Sequence, residues 1–284
     1  MRAIKKIHQA EYRPIADLVT YSPMPTRVLA HLDPFIFLNH HGLQTYPTHN
    51  QGLPFGPHPH RGMETVTFIL EGDITHLDSS GHESVIGSGG VQYMTAGSGL
   101  IHSEVSSSEF KKNGGELEIL QLWLNLPADK KMIAPKYKGL QKEEIPTFTL
   151  DNGKVKVQQL FGEWKETKGA FEGNFPINMS TIHLEEGGKF EKSIAKSDTI
   201  FFYIVRGALQ VNGAVVDFRH LVEFENTGEK VQVEATEDTI LILGNAAPFN
   251  EPIVAQGPFV MNTHKQIQEA YDDYQAGKFG TWKH

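Results

Sequence analysis

No cysteine occurs among the 284 residues of this chain. Its absence removes disulfides, iron–sulfur clusters, thiolate zinc sites and cysteine nucleophiles together. Long apolar runs are missing as well. None approaches the roughly 20 residues that span a bilayer, and the opening MRAIKKIHQAEYRPIADLVTYS holds basic residues without the apolar core of a signal peptide. A soluble, cytoplasmic protein with no membrane partner is the expectation. Positive charge is also in short supply: 34 acidic residues stand against 26 basic ones, a net charge of −8. Direct nucleic-acid binding is therefore not expected, because it needs basic surface to displace counterions. The segment DKKMIAPKYKGLQKEE starts basic, but acids follow directly, which reads as a solvated linker.

Helical periodicity is scarce too. Glycine (27) and proline (15) are spread along the chain, and short alternating runs recur between turn residues. ETVTFILEG, DITHLD, VQYMTAG, EILQLWLNL, TIFFYIVRG, ALQVNG and VQVEATEDTILILG read as strands rich in Val, Ile, Thr and aromatics. Only NTHKQIQEAYDDYQAGKF reads as a helix, with Ile267, Ala270, Tyr271 and Tyr274 on one face. The fold class expected is all-β with a C-terminal α-helix.

The length suits two domains or one large one, and about three quarters of the extended surface can be buried without disulfides or a structural metal. Internal repetition favours two. TFILEGDITHLDSSG (Thr67–Gly81) and FYIVRGALQVNG (Phe202–Gly213) share an apolar strand, a charged residue, a glycine, a second alternating strand and a turn ending in glycine. GGVQYMTAGSG has a weaker counterpart in DTILILGNAAPFNEP. Two copies of one β unit, joined by the Lys-rich stretch near Pro127–Pro146, account for this order. The boundary expected lies at residues 135/136, with one domain over 1–135 and a second, carrying the terminal helix, over 136–284.

The chemistry concentrates in the first copy. In GPHPHRGMETVTFILEG, His58 and His60 share one face if the backbone is extended, about 6–7 Å apart. A lone His-x-His is common by chance, so the second pair carries the argument. In LIHSEVS, His102 and Glu104 are again two apart, after the glycine-rich turn TAGSG. Three neutral imidazoles and one carboxylate suit iron, manganese, nickel, copper or zinc and leave positions for water or substrate. Glu64, four residues after His60, has the same strand parity, so spacing alone leaves Glu64 and Glu104 open. The adjacent His40 and His41 suit a turn or loop better than ligation. His76 can line the barrel or face solvent, His82 follows a turn glycine and should be exposed, and His183, His220 and His264 lack a partner at ligand spacing. The GSGG and GSGL turns are not followed by the Lys-Ser/Thr and helix of a phosphate loop, and neither G-x-S-x-G nor H-E-x-x-H occurs. Equal-offset sliding of the first copy onto the second puts Ser193 and Ala195 where His58 and His60 stand, and no histidine lies between His220 and His264 to replace His102.

The span LDPFIFLNHHG…GPHPHRGMETVTFILEGDITHLDSSGHESVIGSGGVQYMTAGSGLIHSEV resembles the signature region of the pirin family, whose members are bicupins. HPHRGMETVT and QYMTAGSGLIHSE are its specific parts, and PFNEPIVAQGPFVMNT before the terminal helix agrees with it. The resemblance implies two tandem cupin β-barrels packed face to face, with one metal in the N-terminal barrel only. It implies His58, His60, His102 and Glu104 as metal ligands, favouring Glu104 over Glu64, although the general cupin pattern uses the glutamate at Glu64's place. The cofactor implied is one divalent transition metal, taken as iron(II), with nickel, manganese, copper, cobalt or zinc as alternatives. The activity implied is that of a quercetin 2,3-dioxygenase, which opens flavonols with O2 and releases carbon monoxide, with Glu104 as catalytic base or hydrogen-bonding ligand. A flavonol-like aromatic and O2 are then the small-molecule partners. The alternative is a non-catalytic regulator that binds a transcription factor or metabolic enzyme, its metal a structural or redox sensor.

Overall fold

The computed structural model describes residues 1–283 and is mostly β, with 54 % strand and 10 % helix. Alternation sets the strands. Asp73–Asp78 alternates half-buried and buried side chains, and Lys230–Ala235 alternates exposed and buried ones, as a pleated strand covered on one face must. Every run expected as a strand contains one. The terminal helix spans His264–Gln275 behind a capping box of Thr263 and Gln266. It buries Ile267 and Ala270, half-buries Tyr271 and leaves Tyr274 at the exposed edge of that face. A short helix, Ser108–Asn113, adds to the expectation, with Ser107 accepting the Phe110 N–H as its cap.

The chain divides into two compact units that interleave along the sequence. One comprises Tyr12–Thr20, Ile36–Glu143 and Phe249–His284, and the other Met1–Glu11, Tyr21–Phe35 and Glu144–Pro248. This differs from a single cut at 135/136, because strand pairing, and not chain order, assigns each segment. The opening strand Ile4–Gln9 pairs with His220–Phe224, and the terminal helix packs in a cluster of Phe259, Met261 and Phe279 belonging to the first unit. The Lys-rich stretch also departs from a solvated linker. Lys136–Leu140 forms an edge strand on Val91–Thr95. Lys131 is buried, its ammonium donating to Gly62 O (2.9 Å), Asn125 Oδ1 (2.7 Å) and Val260 O (3.0 Å). Three acceptors replace water, which is why a lysine tolerates burial there.

Each unit combines a large sheet with a four-stranded one. The small sheet of the first unit runs Phe55–His60, Leu100–Val105, Asp73–Asp78, Glu83–Gly87; that of the second runs Lys189–Ser193, Lys230–Ala235, Ala208–Val211, Ala214–Asp217. The orders are the same. In the large sheets, Met63–Glu71 and Thr199–Arg206 hold equivalent places, flanked by Gly115–Asn125 and Thr239–Ala246 on one side and by Val91–Thr95 and His220–Phe224 on the other. The counterpart of VQYMT is thus HLVEF and not the strand within DTILILG, a correction that side-by-side pairing makes and sequence similarity misses. Gly72 and Gly207 turn the equivalent hairpins at φ 80° and 77°. A Cβ at Gly207 would meet Asp238 O at 2.2 Å, so glycine is required at that corner.

Register measured from those corners sets the true equivalences. Glu104 pairs with His76, the fourth residue past Gly72, while Val233 pairs with Val211, the fourth past Gly207. Val231 and Val233 therefore occupy the places of His102 and Glu104. Cross-strand pairing then puts Lys192 opposite Val231 as His58 lies opposite His102, and Ile194 at the place of His60. The Ser193 and Ala195 assignment is off by one. Fourteen positions separate His58 from Gly72 and fifteen separate Lys192 from Gly207, and an added residue in a connection flips every side chain to the other face.

The second unit fills its interior with an apolar cluster that includes Val231, Val233, Val211 and Ile194. Lys192 enters this interior with its ammonium 3.8 Å from the Trp164 ring centre and 3.2 Å from Asn178 Oδ1. Burial lowers its pKa from 10.5 to about 8. The folded chain thus loses this proton before the unfolded chain does, so the cost is fully present below pH 8 and fades by pH 10.5. Lys192→Met should raise the melting temperature at pH 7 by at least about 2 °C. The gap between variant and wild type should close as the pH of the melts is raised from 8 to 10.5.

Candidate metal centre

Phe55–His60 and Leu100–Val105 are antiparallel neighbours in the first unit. Their register sets His102 directly across from His58, and Leu100 across from His60. Two residues apart on one strand and opposed on the next, the three imidazoles converge on one face. Ring centres lie 4.4 Å apart for His58–His102, 4.9 Å for His58–His60 and 5.0 Å for His60–His102. One nitrogen from each ring lies within 4.8 Å of the other two, and among the described residues these three histidines form the set that could hold a metal ion.

Backbone carbonyls set two of the tautomers. His58 Nδ1 lies 2.8 Å from Gly56 O and His60 Nδ1 lies 3.1 Å from Pro258 O. A carbonyl only accepts, so each Nδ1 carries the proton and each Nε2 keeps a lone pair. His60 Nε2 and both ring nitrogens of His102 are buried without a hydrogen-bond partner. Each buried polar group left in that condition costs roughly 1–3 kcal/mol, a cost that a shared cation removes. Burial, with His58 nearby, lowers the His60 pKa to about 3, and burial with the neighbouring histidines holds His102 well below its ordinary value. Both are neutral donors near pH 7, the form a divalent metal binds. His58 is half-exposed, unlike the other two. These residues fit a mononuclear metal.

Neither rival carboxylate belongs to the 4.8 Å set. Both are buried and anchored. Glu64 Oε1 accepts from Tyr93 (2.6 Å) and Thr95 (2.9 Å) on the adjacent strand of the large sheet. Glu104 Oε1 accepts from Thr67 (3.0 Å) and the Gln92 amide, and its Oε2 accepts from the Gln121 amide. Thus Glu64 belongs to the large sheet, while Glu104 shares a strand with His102.

Around this cluster lie residues whose places the sequence left open or did not signal. His76 is buried, 5.5 Å from His102, stacked at 3.8 Å on Tyr137, and 3.1 Å from Asp78 Oδ2. Burial alone would raise the Asp78 carboxyl, but hydrogen bonds from His76 and His82 bring it down to about 2. His82 is half exposed in its side chain, as expected of a turn position. Trp123 meets His60 edge-on at 5.1 Å and stacks on Phe37 at 4.4 Å. The available clue for Gln92 and Gln121 was a polar residue inside an otherwise apolar strand. His40 and His41 depart from the loop expectation: both are buried in Phe35–Tyr46, bonded to Glu118 (3.0 Å) and Thr20 (2.9 Å). Adjacent residues face opposite sides of a strand, and here both sides are covered. The terminal helix braces the ligand strand, since Arg61 Nη1 lies 2.9 Å from Asp273 Oδ2 and its guanidinium sits 4.6 Å from the Phe279 ring centre.

Two family models match this chain, one described as Pirin over residues 17–124 and one as Pirin C-terminal cupin domain over residues 179–280. The chain belongs to the pirin family. A crystal structure of quercetin 2,3-dioxygenase from Acinetobacter baumannii is 35 % identical to it, with a TM-score of 0.91 and 99 % of each chain covered. Pirin-1 of Arabidopsis thaliana is 38 % identical over 256 residues, 88 % of this chain and 84 % of its own. Pirin of Mus musculus is 36 % identical over 272 residues, 90 % and 87 % of the two chains. The duplicated small sheet is therefore the pirin bicupin pattern, and the histidine cluster lies within the first pirin model. Among the described residues no helix is long and apolar enough to cross a membrane.

The second copy of the pirin repeat suggests the test. His102→Val, which installs the side chain found at Val231, should leave the metal-free melting temperature within a few degrees of wild type. It should also abolish the rise in melting temperature that nickel(II) or iron(II) gives the wild type through preferential binding to the folded state. An undiminished rise in the variant would remove His102 from the ligand set.

Proposed function

We propose that this pirin is a metal-dependent quercetin 2,3-dioxygenase that cleaves the flavonol ring with O2 and releases carbon monoxide. The observation that carries the reading is the convergence of three imidazoles, two of them buried and held neutral, with an anchored carboxylate two residues along the strand from one of them. Likeness to the Acinetobacter baumannii enzyme supports it. His58, His60 and His102 are the nitrogen ligands and Glu104 the carboxylate ligand. Iron(II) is the ion assigned, while nickel, manganese, copper, cobalt and zinc suit the same nitrogen–oxygen set. When bound, the ion supplies Lewis acidity toward an enolate oxygen and, if redox-active, a path for electrons.

The chain's own residues supply the rest. Glu104 accepts three hydrogen bonds, whereas a carboxylate offers about four lone-pair sites. One site on Oε2 remains, and it serves either as the ligand position or as the acceptor of the flavonol 3-hydroxyl proton, not as both at once; loss of that proton leaves the ring electron-rich toward O2. Half-exposed His58 marks the side from which substrate approaches. The stacked Phe37 and Trp123 beside His60 present a flat apolar face suited to an aromatic ligand.

Metal-loaded wild type should consume O2 in proportion to added quercetin and release carbon monoxide. His58→Ala and Glu104→Ala should each lose turnover by at least the roughly 100-fold at the upper end of outer-shell effects on metal sites. An oxygen electrode with carbon monoxide detection checks this. Full activity in either variant would sink the ligand scheme, and a loaded protein silent toward flavonols would replace the enzyme by a metal-bearing regulator.

A further inference from the structure

Glu104 is held by two glutamines that come from different strands of the large sheet. Gln92, on Val91–Thr95, donates its amide to Oε1, and Gln121, on Gly115–Asn125, donates to Oε2. An amide group has one accepting and one donating end of nearly equal shape, so something must decide which end faces the carboxylate. In each case an aromatic donor does so. The Trp123 indole N–H, which cannot accept, lies 3.4 Å from Gln121 Oε1. The Tyr137 hydroxyl donates to Gln92 Oε1 at 3.1 Å and lies 2.5 Å from Ser84 Oγ. Burial pushes the Tyr137 phenol above its ordinary range, so it retains a proton to give. With both carbonyl ends occupied, both NH2 ends must face Glu104. A reversed amide would set its oxygen against the carboxylate.

We propose that Gln92 and Gln121 are positioning residues for the metal centre: a two-armed clamp that fixes the orientation of the Glu104 carboxylate, each arm set by one aromatic donor, Tyr137 for Gln92 and Trp123 for Gln121. The clamp keeps both oxygens in acceptor roles and leaves the remaining lone pair of Oε2 in one direction. Trp123 has a double function within it. The same ring that orients Gln121 stacks on Phe37 and abuts the ligand His60. The aromatic face offered to substrate and the orientation of the carboxylate therefore share one side chain. Tyr137 comes from the segment whose lysines suggested a solvated linker, so the edge strand Lys136–Leu140 has a role at the site as well as in the sheet.

The clamp rests on the reading of His58, His60, His102 and Glu104 as a metal site, so its test reads metal binding and not turnover. Nickel(II) affinity would be measured by calorimetry for wild type, Trp123→Phe, Gln121→Leu and the double variant, with melting temperatures of the metal-free forms as the control for folding. Trp123→Phe keeps a smaller aromatic ring in the stack and removes the N–H. Each single change should weaken binding about 10-fold or more. Because the indole acts through Gln121, the double variant should bind within about 2-fold of Gln121→Leu alone. Tyr137→Phe with Gln92→Leu should repeat the pattern, and the copper(II)-loaded Trp123→Phe protein should show an altered electron paramagnetic resonance spectrum. Unchanged affinity in the single variants, or losses that simply multiply in the double, would overturn the clamp. Wild type that binds no nickel(II) would instead overturn the metal-site reading beneath it.

Discussion

Three imidazoles held within 5 Å of one another in a buried site cannot satisfy each other. Two of them, His58 and His60, donate their Nδ1–H groups to backbone carbonyls and turn lone pairs inward, and His102 has no hydrogen-bonding partner for either nitrogen. Lone pairs that face one another in a low-dielectric interior repel, and burial prevents His60 and His102 from relieving the repulsion by taking up protons. A cation resolves the conflict. The surrounding residues serve the same requirement: Pro258 fixes one tautomer, Gly56 another, and the salt bridge of Arg61 with Asp273 holds the ligand strand to the terminal helix.

The duplicated unit shows what the same topology becomes without that requirement. Its small sheet has the same strand order, yet Val231 and Val233 replace His102 and Glu104, Val211 replaces His76, and the interior closes as an apolar cluster. One fold thus supports either an apolar core or a polar cluster, and the choice rests on a handful of inward-facing positions. Lys192, at the place of His58, is the exception within the apolar copy, with the face of Trp164 and the oxygen of Asn178 in place of water.

The polar copy fills its interior differently. Its buried acids are each tied to donors from strands far away in sequence, Glu64 to Tyr93 and Thr95, Glu104 to Thr67, Gln92 and Gln121. A buried carboxylate persists only where hydrogen bonds replace hydration. The two glutamates stand close in sequence pattern but differ in their hosts. One is committed to the large sheet, and the other shares its strand with a histidine of the cluster.

Strand positions, the terminal helix and the three histidines of the cluster were legible in the linear sequence, because two-residue alternation and histidine spacing are local properties of the chain, whereas the preference for Glu104 over Glu64 came from the family resemblance and not from spacing. The duplication was legible too, since glycine marks the two equivalent hairpin corners, Gly72 and Gly207, where φ is positive. Other features waited for the tertiary structure. A one-residue difference in a connection shifted the equivalence from Ser193 and Ala195 to Lys192 and Ile194, and the interleaving of units followed from strand pairing. Tyr137, Gln92 and Gln121 acquired their relation to Glu104 only through packing across strands. Local chemistry thus named the histidines and glutamates. Which nitrogens lack partners, and which donors orient the carboxylate, depends on contacts between segments tens of residues apart, and a hydrogen bond becomes decisive only where folding has removed the water that would otherwise satisfy it.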